Sequence, residues 1–213
     1  MEKFTVQKKS RIPPCVLTGK LYAELWRILG QEGEYIWQAL VGTGQDLLGK
    51  QEPRPQEIVI EREALGELLA TLPRIDNLQI TAEFADRGTV SLSFRNYSPP
   101  GGTLIVAGND PAWVASLHRA LATLFKASSE PGLNRLYSRW GFGVIQTVLP
   151  LSLSFIFVML MAGLIIPSSI RQSEFIWWVS AATMVATLWV AAKISDRLIC
   201  YFLQKYPYIR WLS

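Results

Sequence analysis

A catalytic triad or metal site that needs histidine would have to use His118, with only two cysteines, Cys15 and Cys200, to join it, because the 213 residues hold no others. A zinc site of the usual kind takes about four Cys and His ligands. Three residues scattered over the chain fall short of that, so no metal is expected. His118 lies on the flank of a segment with helical spacing and reads as a boundary histidine rather than a general base. Cys15 follows Pro13 and Pro14, and Cys200 comes near the other end. They suggest no disulfide framework, and both fit a reducing compartment. Glu61 with Glu63, and Glu83 with Asp86, are the nearest approaches to paired carboxylates. They fall at an expected helix start and an expected hairpin turn, where acids are solvated, so no acid/base pair stands out.

Two segments have the spacing of anion binders. In GTGQDLLGKQ, residues 42 to 51, Gly44, Gly49 and Lys50 match a phosphate-binding loop preceded by an apolar stretch. Gln51, however, occupies the position of the Ser or Thr that would hold magnesium. The EPRP that follows cannot form the helix whose N-terminus should face the phosphates. In GNDPAW, residues 108 to 113, a strand runs into a helix start. There Asp110 is expected to cap the helix itself, filling the place of a bound anion. The chain therefore carries no expected catalytic residue and no expected cofactor.

The elements that would position these residues follow from periodicity. Phe4 to Gln7 reads as a short strand, and the prolines of IPPC cannot continue a ladder. Thr18 caps a helix on which Leu21, Leu25, Ile28 and Leu29 recur at helical spacing and which ends near Gly30 or Gly33. Tyr35 to Val41 fits either a strand or another helical turn, with the strand favoured. Glu57 to Ile60 reads as another, entering a helix from Arg62 to Leu72 with Leu65, Leu68, Leu69 and Leu72 on one face. Then the period becomes two. Leu78, Ile80, Ala82 and Phe84 alternate with polar partners, Asp86-Arg87-Gly88 supplies turn chemistry, and Val90, Leu92 and Phe94 alternate again. TLIVAG adds a further strand. Pro111 opens a helix with Trp113, Leu117, Leu121 and Leu124 along one side. The expected domain, residues 1 to 127, is α+β: a mostly antiparallel sheet with helices packed on one face. Its other face carries Gln79, Thr81, Ser91, Ser93 and Arg95, and could receive a partner.

Beyond Trp140 the composition changes, and only Glu174 and Asp196 remain of the chain's 17 acids. After a juxtamembrane linker at 128–141, residues 142–166 form an uncharged run long enough to cross a hydrocarbon core of about 30 Å. A short loop at 167–174 follows. Residues 175–194 form a second, shorter run, broken near its end by Lys193. The pair reads as a two-helix transmembrane hairpin, and 195–213 as an interfacial tail mixing aromatics with Lys and Arg. Trp140, Trp177 and Trp178, with Arg139, Lys193 and Arg197, are expected to anchor the spans at the headgroup level. Pro150 within the first span removes a backbone hydrogen bond and can kink it. Ala181, Ala182 and Ala186 allow close helix approach, within the hairpin or against another copy.

Lys126, Arg135, Arg139, Lys193, Arg197, Lys205 and Arg210 flank the spans on the side of the termini, against Arg171 alone in the loop. Both termini are thus expected in the cytoplasm, at a plasma or inner membrane. The N-terminus has no apolar run of the secretory kind, so targeting is expected from the spans. The net charge of +4 fits this flanking pattern, and no nucleic-acid partner is expected. Neither span holds an interior ionisable residue of the kind that marks an ion path. The function these observations favour is a membrane-anchored sensing or adaptor module without catalytic activity. Its domain would bind a protein or small ligand at the lipid bilayer, with homo-oligomers allowed. The rivals are a membrane effector or small oligomeric channel gated by that domain and, last, a surface-acting enzyme.

Overall fold

In the computed structural model, residues 6–43, 57–72, 75–137, 141, 143–160 and 176–212 are described. The chain divides into two compact units, one of Met1–Tyr137 with Tyr206–Ser213 and one of Ser138–Lys205.

The first unit is built on a six-stranded antiparallel sheet. In chain order its strands are β1 (Val6–Ile12), β3 (Tyr35–Gly42), β4 (Glu57–Val59), β5 (Asn77–Phe84), β6 (Gly88–Arg95) and β7 (Gly101–Gly108), arranged β1-β7-β6-β5-β3-β4. The alternation seen in the sequence is the alternation of the pleat. Leu78, Ile80, Ala82 and Phe84 of β5 and Val90, Leu92 and Phe94 of β6 are all buried. Three helices join these side chains in one core: α1 (Gly19–Gln31), α2 (Arg62–Thr71) and α3 (Pro111–Ala127), with α4 (Pro131–Leu136) following. α1 starts where expected, since Thr18 Oγ1 accepts from Leu21 N at 3.2 Å. It contributes Leu21, Leu25, Trp26 and Leu29, and α3 contributes Trp113, Val114, Leu117, Leu121 and Phe125. The α+β reading of this domain holds.

The β5–β6 hairpin turns where Asp86 and Arg87 were expected to turn it. Gly88 takes φ +150° there, and a Cβ on it would stand 2.0 Å from the Ala107 carbonyl oxygen of β7. Only glycine meets both demands.

Three features depart from the sequence reading. β1 runs on to Ile12, paired antiparallel with β7 from Val6↔Gly108 to Ile12↔Gly102. Its KKS stretch hides the alternation because it is an edge strand with little of its surface buried. A strand not expected, β2 (Cys15–Thr18), follows the two prolines. Within 195–213, the segment expected as a tail, the long helix continues to Lys205, and Ile209–Leu212 forms β8, parallel to β2 with Cys15 opposite Ile209.

That last strand is held by buried polar and aromatic groups. Tyr208 is fully buried; its hydroxyl donates to Ile12 O and accepts from Arg11 Nε at 3.3 Å. Its ring meets Tyr137 edge-on at 5.3 Å, and it packs over Gly102, where a Cβ would come within 3.2 Å of it. The Tyr137 hydroxyl donates to Tyr206 O, and Arg210 pairs with Glu130 at 2.8 Å. Burial pushes the Cys15 thiol of β2 up to about 12, with the Glu130 carboxylate acting in the same sense.

The second unit contains a π-helical turn, Val144–Val148, a short apolar helix, Leu149–Leu160, and a long helix, Ile176–Lys205. Pro150 is buried at the second position of the short helix, where the backbone passes from π to α bonding. A residue lacking an N–H costs least at such a change of register. The two helices pack together, with Ser154 Oγ 2.7 Å from Thr187 Oγ1 between them. Among the described residues one helix, Trp177–Lys205, is long and apolar enough to cross a membrane. The expected first span falls partly on 161–166 and the connecting loop on 167–174, all outside the described residues.

Candidate functional site

A concavity of about 1140 Å³ opens at the end of the sheet where α1 hands over to β3 and β5 turns into β6. Gly33, at φ +123°, reverses the chain after α1, so Tyr35 begins β3 beside the first residue of α2, Arg62. The Arg62 guanidinium lies 4.9 Å from the Trp26 ring centre and 5.2 Å from that of Tyr35, and it donates to the Tyr35 hydroxyl. Its own carbonyl accepts from the Tyr22 hydroxyl at 2.7 Å. Cation–π contacts of this kind are worth about 0.5–2 kcal/mol each, so the guanidinium is held in place. Burial pushes the phenols of Tyr22 and Tyr35 up, and the nearby Arg62 charge opposes that shift.

Glu34, Glu83 and Asp86 also line this cleft, together with Arg87, whose guanidinium is 3.3 Å from Glu32. A wall of mixed charge backed by fixed aromatic rings suits a polar ligand or peptide that carries both signs. The cleft lining includes neither cysteine nor histidine.

His118 sits elsewhere. On α3 its Nε2 lies 2.9 Å from Ser10 Oγ of β1. Desolvation lowers its pKa, and the Lys8 charge lowers it further, so the ring is neutral at neutral pH. A serine beside a neutral imidazole has half the geometry of a nucleophile and base. The carboxylate that would orient the second ring nitrogen has no source on these two elements, because neither β1 nor α3 contains an Asp or Glu. Sequence reasoning missed Ser10; following the pleat of β1 through to Ile12 would have turned it toward α3.

The face of the sheet away from the helices joins the polar residues named from the sequence into rows. Gln38, Thr81, Ser91 and Ile105 stand opposite one another across β3, β5, β6 and β7, and Leu40, Gln79, Ser93 and Thr103 form the next row. Toward β3 and β4 the face turns apolar, with Ile36 and Ile58 left 79% and 63% exposed.

Asp110 caps α3 as expected, its carboxylate accepting from Ala112 N at 2.8 Å. Trp177 and Trp178 are exposed near the start of the long helix, and Lys193 Nζ lies 5.8 Å from the Trp189 ring centre. Lys193 and Arg197 lie within the long helix, which runs on to Lys205. Arg139 and Trp140, like Gly44, Gly49 and Lys50 of the glycine-rich loop, lie outside the described residues. Among the described residues, no three His, Cys, Asp or Glu side chains gather as a metal site would require. Compared with known proteins, the chain matches no family model, no curated protein and no solved structure.

Proposed function

We propose that the chain is a two-pass membrane protein whose cytosolic α+β domain binds a protein or small ligand without catalysing a reaction on it, the helical hairpin holding that domain at the bilayer. One observation carries the reading: the chain leaves the domain at Tyr137 and re-enters it at Tyr206, to be buried there through Tyr208 and Ile209. A segment that enters a bilayer between two such points has to come back to the side it left, so it crosses an even number of times. Two crossings use the two apolar runs present.

Exposure within the second unit adds support. Phe155, Ile156 and Met159 of the short helix and Trp177, Val185 and Trp189 of the long one are each 55% exposed or more. Leaving that much apolar surface in water would cost about 25 cal/mol for each Å², whereas lipid solvates it. The part of the long helix before Lys193 spans roughly 25 Å at 1.5 Å per residue, close to a hydrocarbon core with flanking aromatics. The cleft beside Arg62 and the sheet face around Ile36 are the surfaces on which the domain would bind.

The test is extraction and labelling. The chain is expected to stay with membranes in alkaline carbonate and to leave them only in detergent. A cysteine substituted at Ser116 on α3 should react with an impermeant maleimide from the cytoplasmic side alone, and one at Gln172 from the opposite side alone. Release by carbonate, or labelling of both positions from one side, would overturn the topology.

A further inference from the structure

We infer that the groove between β1 and α3 is a binding site for a phosphate group, with Lys8, Arg119 and Lys126 as its cations and His118 at its wall. Lys8 belongs to the inward row of β1, and His118, Arg119 and Lys126 follow one another along α3 at spacings of one and seven residues. Together with Ala115 and Ala122 they line a concavity of about 270 Å³. That volume admits one or two phosphoryl groups, and the alanines leave the floor open to an approaching oxygen.

Among the described residues, the charge on its two walls has one sign. β1 and α3 carry Lys8, Lys9, Arg11, Arg119 and Lys126 and not one acid, in a chain that has 17. The acids flanking α3 are engaged elsewhere, Asp110 in capping Ala112 and Glu130 in pairing with Arg210. Three cations line this concavity and no carboxylate does, so an anion seated there is attracted by all three. Guanidinium and ammonium groups supply the short charge-assisted hydrogen bonds that phosphate oxygens accept. The lowering of the His118 pKa by Lys8 is the same positive field felt by the imidazole. A lipid headgroup and a soluble phosphate share this chemistry. The soluble case does not depend on the membrane reading above.

His118 is the only histidine of the chain, so its ring resonances report the groove without ambiguity. The full-length protein would be titrated by NMR in zwitterionic nanodiscs with chloride, in the same nanodiscs with pyrophosphate at matched ionic strength, and in nanodiscs containing phosphatidic acid. A phosphate within reach of the ring should raise the His118 pKa by about one unit. The rise should vanish in the Lys8→Gln/Arg119→Gln/Lys126→Gln variant, whose changes fall on exposed side chains. A rise with pyrophosphate assigns the site to soluble phosphates, and a rise with phosphatidic acid alone assigns it to headgroups. An unmoved His118 in both arms, or a rise that survives the triple substitution, overturns the inference.

Discussion

The side-chain amide of Asn96 engages both backbone polar groups of Ile209, its Oδ1 accepting from Ile209 N at 2.8 Å and its Nδ2 donating to Ile209 O at 2.7 Å. The same Nδ2 donates to Ile75 O. Asn96 is 1% exposed and Ile209 likewise, so these bonds are made out of water. One amide thus takes the place of a neighbouring strand for a residue 113 positions away. This is how the chain, after its apolar excursion, is fastened back into the domain.

Replacing Asn96 by Leu keeps the volume and strands an N–H and two carbonyls. At about 1–3 kcal/mol for each buried group left unpaired, the domain should lose on the order of 3 kcal/mol. Protection of the Ile209 amide from hydrogen exchange should fall before that of the β5–β6 hairpin. Asn96→Asp should be similarly harmful at neutral pH, since a carboxylate would face two carbonyls, and should recover in part in acid once it can donate a proton. Equal loss of protection in both regions would show that the last strand is not separately fastened.

Cys15 sets an alkaline limit. Its thiol is pushed up to about 12 in the fold, whereas an unfolded thiol ionises near 9. Between those values the unfolded chain binds fewer protons than the native one, so stability falls as pH rises. The contribution is complete below about 9 and gone above about 12, a loss on the order of a few kcal/mol. Burial moves Tyr137 and Tyr208 in the same direction. Denaturant unfolding at pH 8 and pH 11 should show the decline, and Cys15→Ala should flatten it. At pH 8 the native thiol should resist iodoacetamide that modifies it readily in urea.

Two glycines should respond in opposite ways to alanine. Gly88→Ala meets a strained φ and a backbone oxygen 2.0 Å away, and should cost about 2–4 kcal/mol or block folding. Gly30, near the end of α1, has nothing within 4 Å of a new Cβ. Gly30→Ala should stabilise by roughly 0.5 kcal/mol through the helix propensity of alanine. Thermal unfolding of the two variants beside the parent decides both.

Between the two helices of the second unit, Ser154 and Thr187 share a hydrogen bond of 2.7 Å. Such bonds average about 0.6 kcal/mol in a membrane, because the separated helices find other partners for the same groups. Ser154→Ala should therefore weaken helix pairing only by about that amount in a steric-trap measurement. Ser154→Leu, forcing a larger side chain into a position 1% exposed, should weaken it several-fold more. Equal effects would mean that polarity, rather than close approach, holds the pair.

What the amino-acid order determined by itself is whatever depends on neighbours. The cap of Thr18 on Leu21, the cap of Asp110 on Ala112, the β5–β6 hairpin and the inward leucines of α1 and α3 all arise within a few residues. A period of two or 3.6 is set by the pleat and the helical turn, and it appears wherever one face is buried and the other is not. The tertiary structure alone decided the rest. β1 lies at a sheet edge with three consecutive exposed residues, so its pattern is too weak to read before β7 pairs with it. The meeting of Ser10, His118 and Lys8 follows only from that pairing. β2 and β8, four residues each, show no local signal and take strand form by pairing with each other. Pairings between distant segments leave no mark on local period, because the residues that satisfy one another's hydrogen bonds are joined only once the chain has closed.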